Sequence, residues 1–168
     1  MQMIAPSRLS HELRNETSPD LSRRRWGIGL SLIGVAIGGI VAAYQTGIIK
    51  RLPDILPGPI WDAEKVDASD YAYKRLQTPD AAMMVVTYGL TAGLIAAGGK
   101  ERAKQAPALP IAAAVKALFD FVTCVQLGRE EWAENKALCS YCQVATAASA
   151  ATLALTLPEA VRASKALA

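Results

Sequence analysis

Histidine is almost missing from this chain: there is one, His11, among 168 residues, beside only three cysteines, Cys124, Cys139 and Cys142. A zinc site of four Cys/His ligands would need His11 to reach across from the N-terminal tail, so no metal is expected. An odd number of cysteines argues against a framework built only of disulfides. Attachment of c-type haem requires Cys-x-x-Cys-His, and residue 143 is Gln. Charge is missing from long stretches. Trp26 to Ile49, Ala81 to Gly99 and Ala137 to Leu157 carry none. The net charge is +3, but the basic residues form neither one face nor one long run, so no nucleic-acid partner is expected.

Averages of 52% hydrophobic and 20% charged residues look only mildly apolar. The clustering matters more than the average. A charge-free apolar run of about 20 residues is long enough to cross a bilayer core. A fourth stretch, Ala106 to Leu127, is broken only by Lys116 and Asp120. The expected fold is therefore all-α. It is an integral membrane four-helix bundle with helices over about 26–47, 80–98, 107–128 and 137–157, and a long outer loop between the first two.

Residues 1–25 are polar, contain five arginines and show no apolar periodicity, which predicts a flexible tail. Arg23-Arg24-Arg25 abuts the first apolar run and places the N-terminus in the cytoplasm. The first run starts late and is long, which predicts a retained anchor rather than a cleaved signal. Gly34 and Gly38 make a small-xxx-small step that lets another helix approach closely. In the connection before the second helix, Leu52 to Pro59 carries three prolines and cannot be regular. Asp67 to Gln77 has helix-compatible composition, with Asp67 or Ser69 as cap, and Trp61 suits a membrane interface. Lys100, Arg102 and Lys104 mark a cytoplasmic loop, whereas Gly128 to Lys136 has no basic excess and fits the outside. The domain would span residues 26–158. Residues 159–168 would be a second cytoplasmic tail, in a multi-pass protein of the cytoplasmic membrane. Lys116 and Asp120, four apart, share a helix face; they suit an interhelix pair or, alternatively, proton handling.

The chemistry concentrates in Cys139-Ser140-Tyr141-Cys142, which opens the last apolar run on its outer side. An outer compartment supports disulfide exchange. At i and i+3 both thiols lie on one helix face, and a helix N-terminus favours a thiolate. Cys139 is then the exchanging thiol. Cys142, one turn deeper, is the contact for a lipophilic redox partner such as a quinone. Two structural cysteines at helical spacing are the plainer alternative. Cys124, on the third helix, is a candidate relay thiol or a small buried apolar residue.

The chain resembles the vitamin K epoxide reductase family over about residues 26 to 157. The likeness lies in the four-helix pattern, in Leu138-Cys139-Ser140-Tyr141-Cys142, and in Ser69 followed by Pro79 before the second helix. The resemblance implies a thiol–quinone oxidoreductase. Cys139 and Cys142 would be its redox-active pair, with Cys142 and Ser69 at the quinone, of ubiquinone or menaquinone type. A thioredoxin-like thiol protein of the outer compartment would be the partner. In one respect the chain departs from the family: residues 45–80 contain no cysteine, so the usual outer pair that relays electrons is missing. A non-catalytic membrane subunit that kept the scaffold is the alternative; a proton-coupled transporter built on Lys116 and Asp120 is a third.

Overall fold

The computed structural model describes residues 5–167. Helix α1 (Pro6–Asn15) and helix α2 (Pro19–Gln45) open the chain. The latter is capped by the Ser18 hydroxyl, which accepts from the Leu21 amide at 3.1 Å, and has Pro19 in its first turn. All of α1 and the first turns of α2 lie in the stretch expected as a tail. Arg8 and Glu12 pair one turn apart, and Glu12 also accepts from the Lys100 amide at 3.1 Å, so polar contacts rather than apolar periodicity hold α1 in place. Just past the end of α2 the chain turns at Gly47, whose φ of +76° suits glycine.

Residues 46–79 form a strap. It contains the short helix α3 (Ala63–Asp67), capped by Asp62, and one 3-10 turn over Asp70–Ala72. The helix expected over Asp67 to Gln77 does not form. Asp67 closes α3 instead of capping a helix, and Leu76 and Gln77 both adopt left-handed backbone angles. Helix α4 (Asp80–Ala96) follows Pro79 and stops before Gly98, which has φ +84°. Helix α5 (Arg102–Gln105) is a single turn.

Helix α6 (Ala108–Asn135) runs seven residues past the expected end at Gly128. Three of the seven added residues are Glu, a good helix former, of which Glu130 pairs with Arg75 of the strap, and the helix stops only where Lys136 turns left-handed. Helix α7 (Ser140–Lys165) continues through Pro158. Proline removes one backbone donor there, but Glu159 is clamped by Arg24 and Arg102, which holds the helix on its course.

Helices α2, α6 and α7 are long and apolar enough to cross a membrane; α4 is apolar but shorter. Among the described residues no strand forms beyond an isolated parallel bridge between Trp61 and Leu138. Helix α2 packs on α4 and α7, and α6 on α7 and α4. The glycine step in α2 makes the first contact possible. A methyl group at Gly34 would overlap the Tyr88 ring, and one at Gly38 would come within 3.2 Å of the Ala81 carbonyl. Large apolar side chains stay exposed along the outside, among them Leu32, Ile40, Val86, Leu90, Phe119 and Val122, as lipid-facing surfaces require. The main apolar core sits at one end, where the strap residues Leu52, Ala63, Val66, Tyr71 and Ala72 cover Cys139.

Candidate active site

Cys139 is the N-cap of α7, and its sulfur accepts from the Cys142 amide at 3.4 Å. The three cysteines are free thiols. Cys139 is completely buried. The strap that covers it is tied to the start of α7 by several bonds. Asp54 accepts from the Ser140 hydroxyl at 2.6 Å and from the Ala63 amide at 3.1 Å. The Ser140 hydroxyl also accepts from the Ile55 amide at 3.1 Å, and Tyr141 donates to the Pro53 carbonyl at 2.9 Å. Backbone bonds join Leu138 to Ile60 and Asp62. The proline-rich stretch thus has a purpose: with few amides of its own to satisfy, it can lie flat across a helix start.

Cys142 is half-buried and opens on the other side, into a cavity of about 260 Å³. Apolar groups dominate its lining, including Val41, Met83, Met84, Phe119 and Leu127. Its ionisable side chains are Asp67, Asp80, Asp120, Glu131, Arg75, Tyr71, Tyr88 and the thiols of Cys124 and Cys142. The two thiols of the pair therefore face different surroundings, one sealed and one in a greasy chamber.

Two buried carboxyls flank the dithiol. Asp67 lies against Cys139, and burial pushes its pKa up to about 7, against the opposing influence of the neighbouring Cys139 thiol. One Asp67 oxygen accepts from Gln45 at 3.4 Å, and the other has no partner. Glu131 accepts from the Cys139 amide at 3.2 Å and also meets the Cys142 side chain. The favourable helix terminus expected at Cys139 is thus opposed by complete burial and by a carboxyl neighbour.

Other expected residues lie elsewhere. Ser69 does not line the cavity; its hydroxyl donates to the Val66 carbonyl at 2.7 Å and finishes α3. Because α6 extends to Asn135, Cys124 is about three turns from the helix end rather than one. Its sulfur meets Tyr88 at 3.5 Å and Ser149 at 3.8 Å. Ser149 is seven residues beyond Cys142, about 10 Å along α7. Cys124 shares the cavity with Cys142 but sits at a deeper level. His11 is exposed on α1. Lys116 and Asp120 do pair, and Thr87 and Thr91 of α4 complete the cluster.

Three residues of the site were not anticipated. Arg75 reaches the cavity, where it stacks on Tyr71 at 5.1 Å and pairs with Glu130; its Nη1 is buried without a partner. Glu131 had a signal in the helical spacing of Ala117, Asp120, Cys124, Leu127 and Glu131, which continues one face of α6. Asp67 and Arg75 had none, since they depend on how the strap folds.

Residues 25–157 match the model of the vitamin K epoxide reductase family. The chain belongs to that family. No curated protein and no solved structure matches it. With its three long apolar helices, membership makes this a membrane protein. Membership also fits oxidoreductase chemistry between thiols and quinones in general.

Proposed function

We propose that this member of the vitamin K epoxide reductase family is a membrane thiol–quinone oxidoreductase that works through the Cys139/Cys142 pair. One observation carries the reading: Cys142 opens into an apolar cavity while Cys139, one turn away, faces the strap. The cavity suits a flat ring whose isoprenoid tail extends into lipid, as in quinones of the ubiquinone or menaquinone type. Its volume lies just below the usual range for a ligand site, about 300–1,000 Å³, which suits a ring rather than a whole lipid. Arg75 Nη1, buried and unpartnered, is the donor it offers to a ring oxygen. Arg75, and not Ser69, lines the cavity.

A quinone supplies an acceptor for two electrons and two protons. The residues around the pair handle the thiol side. Cys142 delivers electrons into the cavity as the Cys139–Cys142 disulfide forms. Asp67, with a pKa near 7, is matched to take the Cys139 proton. Glu131 is placed to take that of Cys142. The disulfide is then reduced by a partner dithiol through a mixed disulfide, which returns both thiols and leaves the partner oxidised. The partner is a thioredoxin-like protein of the outer compartment. With no loop cysteine to relay electrons, it must gain Cys139 itself, so the Asp54-anchored strap has to lift.

In this reading α2, α4, α6 and α7 all span the cytoplasmic membrane. The termini are cytoplasmic, next to the arginine run, and the dithiol lies at the outer face. The test is thiol oxidation by ubiquinone-1 and menadione in detergent-purified protein, with quinol formation followed in parallel. Wild type turns over; Cys139→Ala and Cys142→Ala fall to background, while Cys124→Ala keeps its rate. Equal background rates for wild type and Cys142→Ala with both quinones sink the proposal. That result would leave the second reading, a non-catalytic membrane subunit, favoured by the complete burial of Cys139 under a cysteine-free strap.

A further inference from the structure

The geometry points to a zinc-class divalent cation site on the reduced dithiol, made by Cys139 Sγ, Cys142 Sγ and a carboxylate oxygen of Asp67. These three ligand atoms lie within 4.8 Å of one another. In a tetrahedral zinc site with bonds near 2.3 Å, neighbouring sulfurs are about 3.8 Å apart. Bringing the two sulfurs to that spacing requires a closing of at most about 1 Å. Asp67 is 3% exposed, and one of its carboxylate oxygens has no hydrogen-bond partner. A buried carboxylate oxygen normally has a partner; here a cation between two sulfurs would be that partner. Glu131, in contact with the Cys142 side chain, is the carboxylate next in reach for the fourth position.

The charge balance points the same way. Four acidic side chains line the cavity, Asp67, Asp80, Asp120 and Glu131, against one basic one, Arg75. Asp120 has its own lysine, and Arg75 is engaged by Glu130. Asp67 and Asp80 share the neutral Gln45 amide, and Arg75 offsets part of the charge of Asp80. Two thiolates added to that group would be strongly unfavourable without a cation. Soft sulfur ligands beside a hard carboxylate select zinc over calcium or magnesium.

Binding displaces both thiol protons and leaves Zn²⁺ held by two thiolates and Asp67. No electron moves. Oxidation to the Cys139–Cys142 disulfide removes two of the three ligands, so only the reduced state binds. A bound cation would in turn hold the pair reduced and unreactive. The site stands whether or not the dithiol passes electrons to a quinone, because the test contains none.

The experiment titrates Zn²⁺ into full-length, detergent-purified protein, anaerobically and without quinone, against a chromophoric chelator. Protein reduced with a phosphine should take up one Zn²⁺ per chain, and disulfide-form protein none. Cys139→Ser and Cys142→Ser should lose binding. Asp67→Asn, which keeps side-chain volume, should bind at least about tenfold more weakly. Cobalt bound to the reduced wild type should give the visible bands of a tetrahedral sulfur-ligated ion. Equal binding by the reduced and oxidised wild type overturns the site and requires no variant to fold. Undiminished affinity in Asp67→Asn also overturns it, because the cation would then be held by a bare dithiol.

Discussion

At one end of α7, Glu159 is gripped by two arginines; at the other, Cys139 and Cys142 lie between two carboxyls with no cation of their own. The Glu159 end is complete. Arg24 and Arg102 both bond its carboxylate, and their remaining donors reach the carbonyls of Leu94, Ile95, Ala97, Gly98 and Gly99. The dithiol end is incomplete. Asp67 keeps an orphaned oxygen and Arg75 an orphaned nitrogen. Both ends bury charge at a cost. Where every donor and acceptor is used, the charge ties helices together. Where groups are left open around a cavity, the site is prepared for something that comes and goes.

That contrast can be broken by substitution, and the largest effect is expected at the satisfied end. Glu159→Ala strands two buried guanidinium groups and should cost about 3–5 kcal/mol of stability. Thermal melting in detergent would show it as a large drop in Tm, and an unchanged Tm would mean the triad is not a clamp. Asp54→Ala removes the acceptor that ties the strap to Ser140 and Ala63. It should cost about 1–3 kcal/mol. It should also expose Cys139 to a maleimide reagent that reaches it slowly in wild type. A loss of stability without faster labelling would show that the strap is not what seals the thiol.

Arg75→Gln tests the open nitrogen. KM for quinone should rise about tenfold, near 1.4 kcal/mol, with kcat less affected, as expected when a ligand contact is lost. The smallest change is expected at Asp67. Asp67→Asn removes a buried carboxylate that lacks a full set of partners, so stability should shift by less than about 1 kcal/mol in either direction. The same substitution should slow thiol oxidation, since an amide takes no proton. A loss as large as that of Glu159→Ala would erase the distinction between the two ends.

Several parts of this were legible early and for local reasons. Runs without charge reveal apolar helices, because crossing a bilayer sets a minimum length. The Gly34/Gly38 step announced a close helix contact, since only a missing side chain makes room for the Tyr88 ring. The Lys116–Asp120 pair followed from a spacing of four. The extents of α6 and α7 were not legible. Polar residues from Arg129 onward looked like loop, and Pro158 looked like a stop; each is overridden by an ion pair with a residue far away in the chain. The place of Ser69 before Pro79 does not reveal that its hydroxyl is used locally, on the Val66 carbonyl, rather than at the cavity.

The chain by itself determined what must lie in apolar surroundings and where its two vicinal thiols would stand on a helix. Those follow from hydropathy and from the 3.6-residue period, both properties of neighbours in sequence. Only the tertiary structure decided that Cys139 is sealed and Cys142 open, that Cys124 lies two turns deeper, and that Asp67 and Glu131 flank the pair. Asp67 is 72 residues from Cys139 and meets it only because a proline-rich strap, poor in amides, folds back over the start of α7. Contacts across that separation depend on packing and on which buried polar groups find partners, and no local pattern encodes either.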